Sequence, residues 1–297
     1  MSTDTPSPVE QQLEKIRLSR RVRWLLYALL SVGFVGVFYG SLLLIQFSLG
    51  DLINQFPIFA DRVMNYNPEW WFIVEENLPR QAGVTLAIGF AGTVMGIPLA
   101  LLLGVLGSGR VMPFPFNFLF RTIMAVSRAI PALVWFLILL PLAGLSAVTA
   151  TIAVAVSTIG NLGRLFTDEL EEVKPGQIEA MQTTGASKSQ TVVFGMLSQV
   201  KTSFIAWTLY IFEVNVRTAV TLGLLGGGGI GYTIEVQQGL RNYDNMMAAI
   251  VVVLLLIIIV EMVSQRLRSY LRDDEEADGL ISLIVGFPER MAKSALK

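Results

Sequence analysis

Six apolar runs, at about 24–47, 81–107, 121–143, 146–165, 203–224 and 245–264, constrain this chain more than any motif it carries. A helix needs about 20 apolar residues to cross about 30 Å of hydrocarbon at about 1.5 Å per residue, and these runs are of that order. Only 15% of residues are charged, against about 25% in a soluble domain, and the mean hydropathy is +0.61. The expected fold is an all-α membrane protein with six transmembrane helices. The first run is longer than a signal-peptide core and has no small-residue cleavage site, so it reads as an uncleaved span.

The missing residue types exclude much chemistry. With no cysteine and no histidine, disulfides, thiolate sites, Ser-His-Asp catalysis and HExxH zinc chemistry are impossible. A net charge of −1 gives no reason to expect nucleic acid. No GxxxxGK[ST] motif occurs, so the chain itself is not expected to bind ATP. Gly226, Gly228 and Gly231 satisfy GxGxxG formally, but no strand-to-helix unit surrounds them. No catalytic residue, metal or cofactor is expected in this chain.

Charge in the loops sets an orientation. Lys15, Arg17, Arg20, Arg21 and Arg23 precede the first run; Asp51, Asp61, Glu69, Glu75 and Glu76 outnumber Arg62 and Arg80 in 48–80; Lys and Arg return in later alternate loops. Basic loops stay inside, which predicts a cell-membrane protein with both termini cytoplasmic. The expected divisions are an N-terminal tail (1–23), a transmembrane domain (24–265) with a cytoplasmic loop at about 166–202, and a C-terminal tail (266–297). In that tail, 273–297 reads as acidic residues followed by a surface or partner-docking helix.

Polar residues inside the apolar runs are the candidate functional positions. Glu213 and Arg217 are four apart in "FEVNVR", hence on one helical face and within pairing reach. Either they fix the fifth span against its partners, or Arg217 offers positive potential to a passing anion while Glu213 moderates it. Asn215 points about 200° from Glu213, toward a neighbouring helix. Arg128 opens the third span just before Pro131, which is expected to kink it; it either snorkels to the interface or lines an anion path. The run Gly226, Gly227, Gly228, Gly229 with Gly231 suits a sharp re-entry or tight packing, with a flexible loop as the alternative, and 232–245 suits a short interfacial helix. Gly92 and Gly96 form a GxxxG that favours close helix packing.

The loop after the fourth span is nearly 40 residues long, where 2–8 are enough to join two helices. Its "QIEAMQTTGASKSQTVVFGML" suggests two short helices broken at Gly185, the second capped by Thr184 or Ser187. Here "EAMQTTGASKSQTVVFGML" resembles the EAA loop of ATP-binding-cassette importer permeases, with Glu179, Ala180, Gly185 and Ala186 in the motif and Leu197 at the hydrophobic position beyond. Met181 stands where a second Ala is usual and Ser198 where Pro is common. From about Gly83 to Arg268, "SRAIPALVW", "FEVNVR", "GLLGGGGIG" and "YDNMMAAI" resemble permeases of phosphonate-type importers, and methionine-type permeases share the glycine-rich stretch.

The resemblance implies a type I importer permease fold whose EAA helix docks on an ATPase. It implies a homodimer, two ATP-binding cassette subunits carrying ATP and Mg, and an extracytoplasmic substrate-binding protein. The implied cargo is phosphonate or a related phosphorus oxyanion such as phosphite or phosphate. The alternatives are a permease of the same superfamily for methionine or another amino acid, and a stand-alone secondary transporter or channel. The last is expected to show an internal repeat, and none is evident.

Overall fold

The computed structural model describes residues 8–271, which are helical apart from short connections, with no strand among them. The tail 273–297 lies outside the described residues. The chain divides into two compact units, residues 1–65 and 66–297.

In the first unit, α1 (Pro8–Leu44) carries the candidate span Arg23–Leu44 on a longer helix than the apolar run alone requires. Gln46, with φ of 52°, turns the chain. Ser48 then caps α2 (Leu49–Asn65) by accepting from the Asp51 amide at 3.2 Å. The segment read as an outer loop is therefore largely helical.

The second unit holds α3 (Trp70–Glu75), α4 (Leu78–Gly107), α5 (Phe116–Ala129), α6 (Ala132–Ala143) and α7 (Ala147–Glu172). It continues with α8 (Pro175–Thr183), α9 (Lys188–Gln190), α10 (Ser198–Leu222), α11 (Gly229–Gly239) and α12 (Tyr243–Leu271). Among the described residues five helical stretches are long and apolar enough to cross a membrane, and a bent pair, α5 with α6, makes a sixth if counted as one span.

The third run is thus broken, where sequence alone suggested a kink. Pro131 has no N–H to continue the ladder and holds Ile130 in extended backbone, at φ −92° and ψ 117°. The two halves meet at 90°. With 14 and 12 residues they reach only about 21 and 18 Å, so neither crosses alone. The Trp135 indole N–H satisfies the Ser127 carbonyl at 3.1 Å, and the Ser127 hydroxyl donates to the Val156 carbonyl at 2.6 Å. Side-chain partners of this kind are what make a break tolerable in lipid.

Lipid tails are as apolar as leucine, so helices associate there through close packing and not through burial of apolar surface. The core of the second unit shows this. A Cβ at Gly92 would sit 2.5 Å from Val154 Cγ1, and one at Gly96 2.6 Å from Thr158 Cβ. Further along, Gly104 meets the Gly163 carbonyl in the same way. The backbones of α4 and α7 therefore touch along much of their length. Gly160 does the same for α5, where a Cβ would lie 2.7 Å from the Arg128 nitrogen. Phe166 and Phe204 stack at 4.1 Å and join α7 to α10.

Gly96→Val should lower the melting temperature of the detergent-purified chain by an amount equivalent to about 1–3 kcal/mol of overpacking. Gly83→Val is the control, since Gly83 lies on the same helix with no neighbour within 4 Å, and it should leave the melting temperature near that of the parent. Thermal unfolding followed by circular dichroism compares the two.

Candidate functional site

Three helices bring polar side chains together at the depth of the spans. α5 carries Arg128 in its last turn, α7 carries Ser157, Asn161, Arg164 and Asp168 at three- and four-residue spacing, and α10 contributes Tyr210, Asn215 and Thr218. These residues line a cavity of about 610 Å³. Asp168 accepts from Arg164 at 2.9 Å. No carboxylate pairs with Arg128 among the described residues. Two arginines against one aspartate leave the cavity with one net positive charge. Asn161 is held by Ser157, its amide reaching the Ser157 carbonyl at 3.0 Å and hydroxyl at 3.2 Å.

Asn215 forms the back wall of the cavity. Its amide nitrogen donates to Thr93 Oγ1 on α4 and Thr158 Oγ1 on α7, both at 2.8 Å. Each threonine hydroxyl already donates to its own helix, to Gly89 at 2.7 Å and Val154 at 2.8 Å, so each oxygen must accept. This fixes the orientation of the Asn215 amide. The glycine contacts described above are what bring the two threonines within reach of one side chain.

Glu213 and Arg217 do not pair with each other. Glu213 accepts from Arg268 at 2.7 Å and Arg217 reaches Glu261 at 3.3 Å, both on α12. The reason is geometric. α12 packs against α10 and offers an opposite charge to each, about two helical turns apart. An intrahelical pair would satisfy two charges and strand Glu261 and Arg268, whereas the crossed pairs satisfy all four. The Arg217 side chain stays 47% exposed and Glu213 only 8%. Neither residue lines the cavity that holds Arg128 and Asn215. The structure thus separates the intramembrane residues of the sequence analysis into a cavity set and a helix-pairing set.

A second cavity, of about 440 Å³, lies between α7, α10 and α12, and Tyr210 borders both. Its Glu169 accepts from the Trp207 indole at 2.7 Å. The cavity residues Ser157, Asn161 and Asp168 were not singled out from sequence. Their spacing along α7 was the available signal; Asp168, which completes it, was obscured because the fourth helix runs on to Glu172 where the apolar run stops near 165.

The loop 166–202 shrinks to a short connection. α8 stands on the bundle through Ile178, which packs on the core of Val192, Met196 and Val200, and through Met181, which lies against Gly195. Glu179 and Ala180 face outward and are exposed. Gly185, at φ +78°, makes the turn, and Ala186 follows it half-buried. Ser187 and Gln190 close a capping box that starts the next helix. That helix is not a separate short one, because α9 runs through a π-helical stretch, Thr191–Leu197, into α10 without a break. With Ser198 in place of a proline, nothing stops it. At the neck of the loop, Arg121 pairs with Glu171 and Arg110 donates to the Val173 carbonyl.

At the far end of α10 the glycine run both turns and packs. Gly226, Gly228 and Gly229 have φ of 91°, 82° and 69°, which side-chain-bearing residues rarely adopt. A second π-helical stretch, Gly223–Gly227, contains the first of them. A Cβ at Gly231 would sit 2.1 Å from the Val220 carbonyl, and Gly227 is buried. The chain folds back into α11, whose Ile230 amide donates to Thr85 at 3.0 Å.

A bundle of long apolar helices around a charged cavity, with one broken span and a helical elbow standing off one end, is the architecture of a membrane permease. The chain belongs to the binding-protein-dependent transport system inner membrane component family, whose model matches residues 92–272. Phosphate-import permease protein PhnE of Mycolicibacterium smegmatis is 34% identical over 191 residues, 64% of this chain but 36% of that protein's length. Putative phosphite transport system permease protein HtxC of Stutzerimonas stutzeri is 30% identical over 224 residues, 72% of this chain and 79% of the relative. A chain of the MetNI methionine ABC transporter, solved in an inward-facing conformation, superposes with a TM-score of 0.58 at 21% identity, over 65% of this chain and 95% of that one. The fold is that of type I ABC importer permeases.

The crossed ion pairs make a double exchange informative. Either Arg217→Glu or Glu261→Arg alone places like charges together inside the spans and should reduce membrane expression, each unpaired charge there costing about 2.5–3.5 kcal/mol on insertion scales. Arg217→Glu with Glu261→Arg should restore it, while Glu213→Arg with Arg217→Glu should restore nothing. Fluorescence-detected size exclusion of tagged variants reads all four.

Proposed function

We propose that this chain is the membrane-spanning subunit of an ATP-driven importer for a phosphorus oxyanion, phosphonate or phosphite or phosphate, delivered by an extracytoplasmic binding protein. The observation that carries this reading is the net positive cavity, with Arg128 free of any carboxylate partner among the described residues. The names of the PhnE and HtxC relatives support the same cargo. An amino acid, the cargo of the methionine alternative, brings an ammonium group that needs an acid. The single carboxylate in this cavity, Asp168, is engaged by Arg164.

In this reading two copies enclose the path. Tyr210, Arg217 and Thr221 form an exposed polar ridge along α10. A half-exposed arginine is costly against lipid, so the ridge suits a second protein surface or water. Two ATPase subunits, with their ATP and Mg, dock on α8, where Glu179 and Ala180 are presented outward on a helix anchored beneath by Ile178 and Met181. The rigid connection from α9 through Leu197 into α10, and the clamp of Arg121 and Arg110 on the end of α7, carry that motion to two of the three helices of the cavity. Both termini and α8 then lie on the cytoplasmic side, and 48–80 lies outside.

Reconstituted with its ATPase and binding protein, the Arg128→Gln variant should lose at least about tenfold in oxyanion uptake, the equivalent of about 1.4 kcal/mol, while ATP hydrolysis persists. Arg128→Lys should retain an intermediate rate. Unchanged uptake in Arg128→Gln would reject the cavity as the path.

Coupling and orientation have their own tests. Glu179→Arg, at an exposed position, should uncouple hydrolysis from uptake without loss of folded protein, and Gly185→Trp should do so with added backbone strain. The chain has no cysteine, so single thiols report cleanly. Asp61→Cys should react with an impermeant maleimide in intact cells, and Lys188→Cys only after lysis.

A further inference from the structure

The helix α2 lies outside the span of the family match, which begins at residue 92, and the transport reading gives it no task. Its sequence, LGDLINQFPIFADRVMN, is strongly two-faced. At about 100° per residue, Leu52, Ile53, Phe56, Phe59 and Val63 fall on one side. Asp51, Asn54, Asp61 and Asn65 fall on the other, with Ile58 the apolar exception among them, and Asn65 donates to Asp61 at 3.0 Å along that polar side. The apolar side is exposed among the described residues: Phe56 and Phe59 are each 62% exposed and Ile53 is 67% exposed.

We propose that α2 lies in the plane of the bilayer, its apolar face set into the boundary between headgroups and acyl chains on the side where α1 emerges. Three observations select lipid as the occupant. The span of α1, Arg23–Leu44, is long and apolar enough to cross a bilayer, so its end at Leu44 and the start of the link to α2 lie at the bilayer boundary. That link, residues 45–48, is four residues long and extends about 14 Å at most, so α2 begins at the membrane surface. The helix itself is about 25 Å long and carries Asp51 and Asp61, which suits lying along the surface and not crossing it. An exposed apolar strip of this size beside a bilayer is stabilised by entering it.

The test uses the full chain in nanodiscs of phosphatidylethanolamine and phosphatidylglycerol, with an environment-sensitive fluorophore on single thiols. On Phe56→Cys the label should emit to the blue and be quenched by nitroxide-bearing lipids but weakly by iodide. On Asn54→Cys it should emit to the red and be quenched by iodide. Val63→Cys and Asn65→Cys form a second pair should either of the first fail to express. Iodide quenching on both faces would place α2 in water and overturn the proposal. A Phe56→Cys label shielded from both quenchers would put protein over that face, a second copy or a binding protein, and overturn it equally.

Discussion

The contact between α4 and α7 is the constraint on which the rest depends. In a bilayer no solvent drives helices together, so two backbones that touch must do so through shape. Gly92, Gly96 and Gly104 remove the side chains that would keep α7 away. Only at that separation do Thr93 and Thr158 come close enough for Asn215 to bridge both, which places α10. Gly160, on a different face of α7, then admits the backbone of α5 at Arg128, next to the break. The cavity is therefore a by-product of close packing on its outer side.

The fifth span divides its work by face. One face holds the Asn215 node, the next opens onto the cavity, and a third exchanges charges with α12 through Glu213 and Arg217. Intramembrane charges are costly alone and tolerable in pairs. Pairing them across two helices, and not within one, makes the alignment of α10 with α12 part of the electrostatics. A slide of either helix by one turn would separate both pairs at once.

The helical membrane fold was legible because apolar run length reports directly on bilayer thickness. GxxxG at 92 and 96, the cap at Ser187 and the neighbour-facing Asn215 were legible because each rests on local geometry, whereas the helix expected over 232–245 instead spans Gly229–Gly239 and starts inside the glycine run. The pairing of Glu213 was not, since spacing of four shows what two residues can do and says nothing of competitors on α12. The depth of the break at Pro131 depended on Trp135 and Ser127 stabilising the opened turn, a tertiary fact. The polar face of α7 was hidden for a similar reason, because Arg164 and Asp168 look like loop charges until the helix is seen to continue past the apolar run.

The two walls of the cavity differ in electrical character. Asn215 commits both amide hydrogens to the threonines behind it, so its carbonyl oxygen is the only polar atom it has left for the lumen. That oxygen repels anions. The guanidinium of Arg128 and the polar side chains of α7 line the same cavity. The lining is therefore asymmetric in sign: an acceptor oxygen from α10 and a guanidinium from α5 share one cavity.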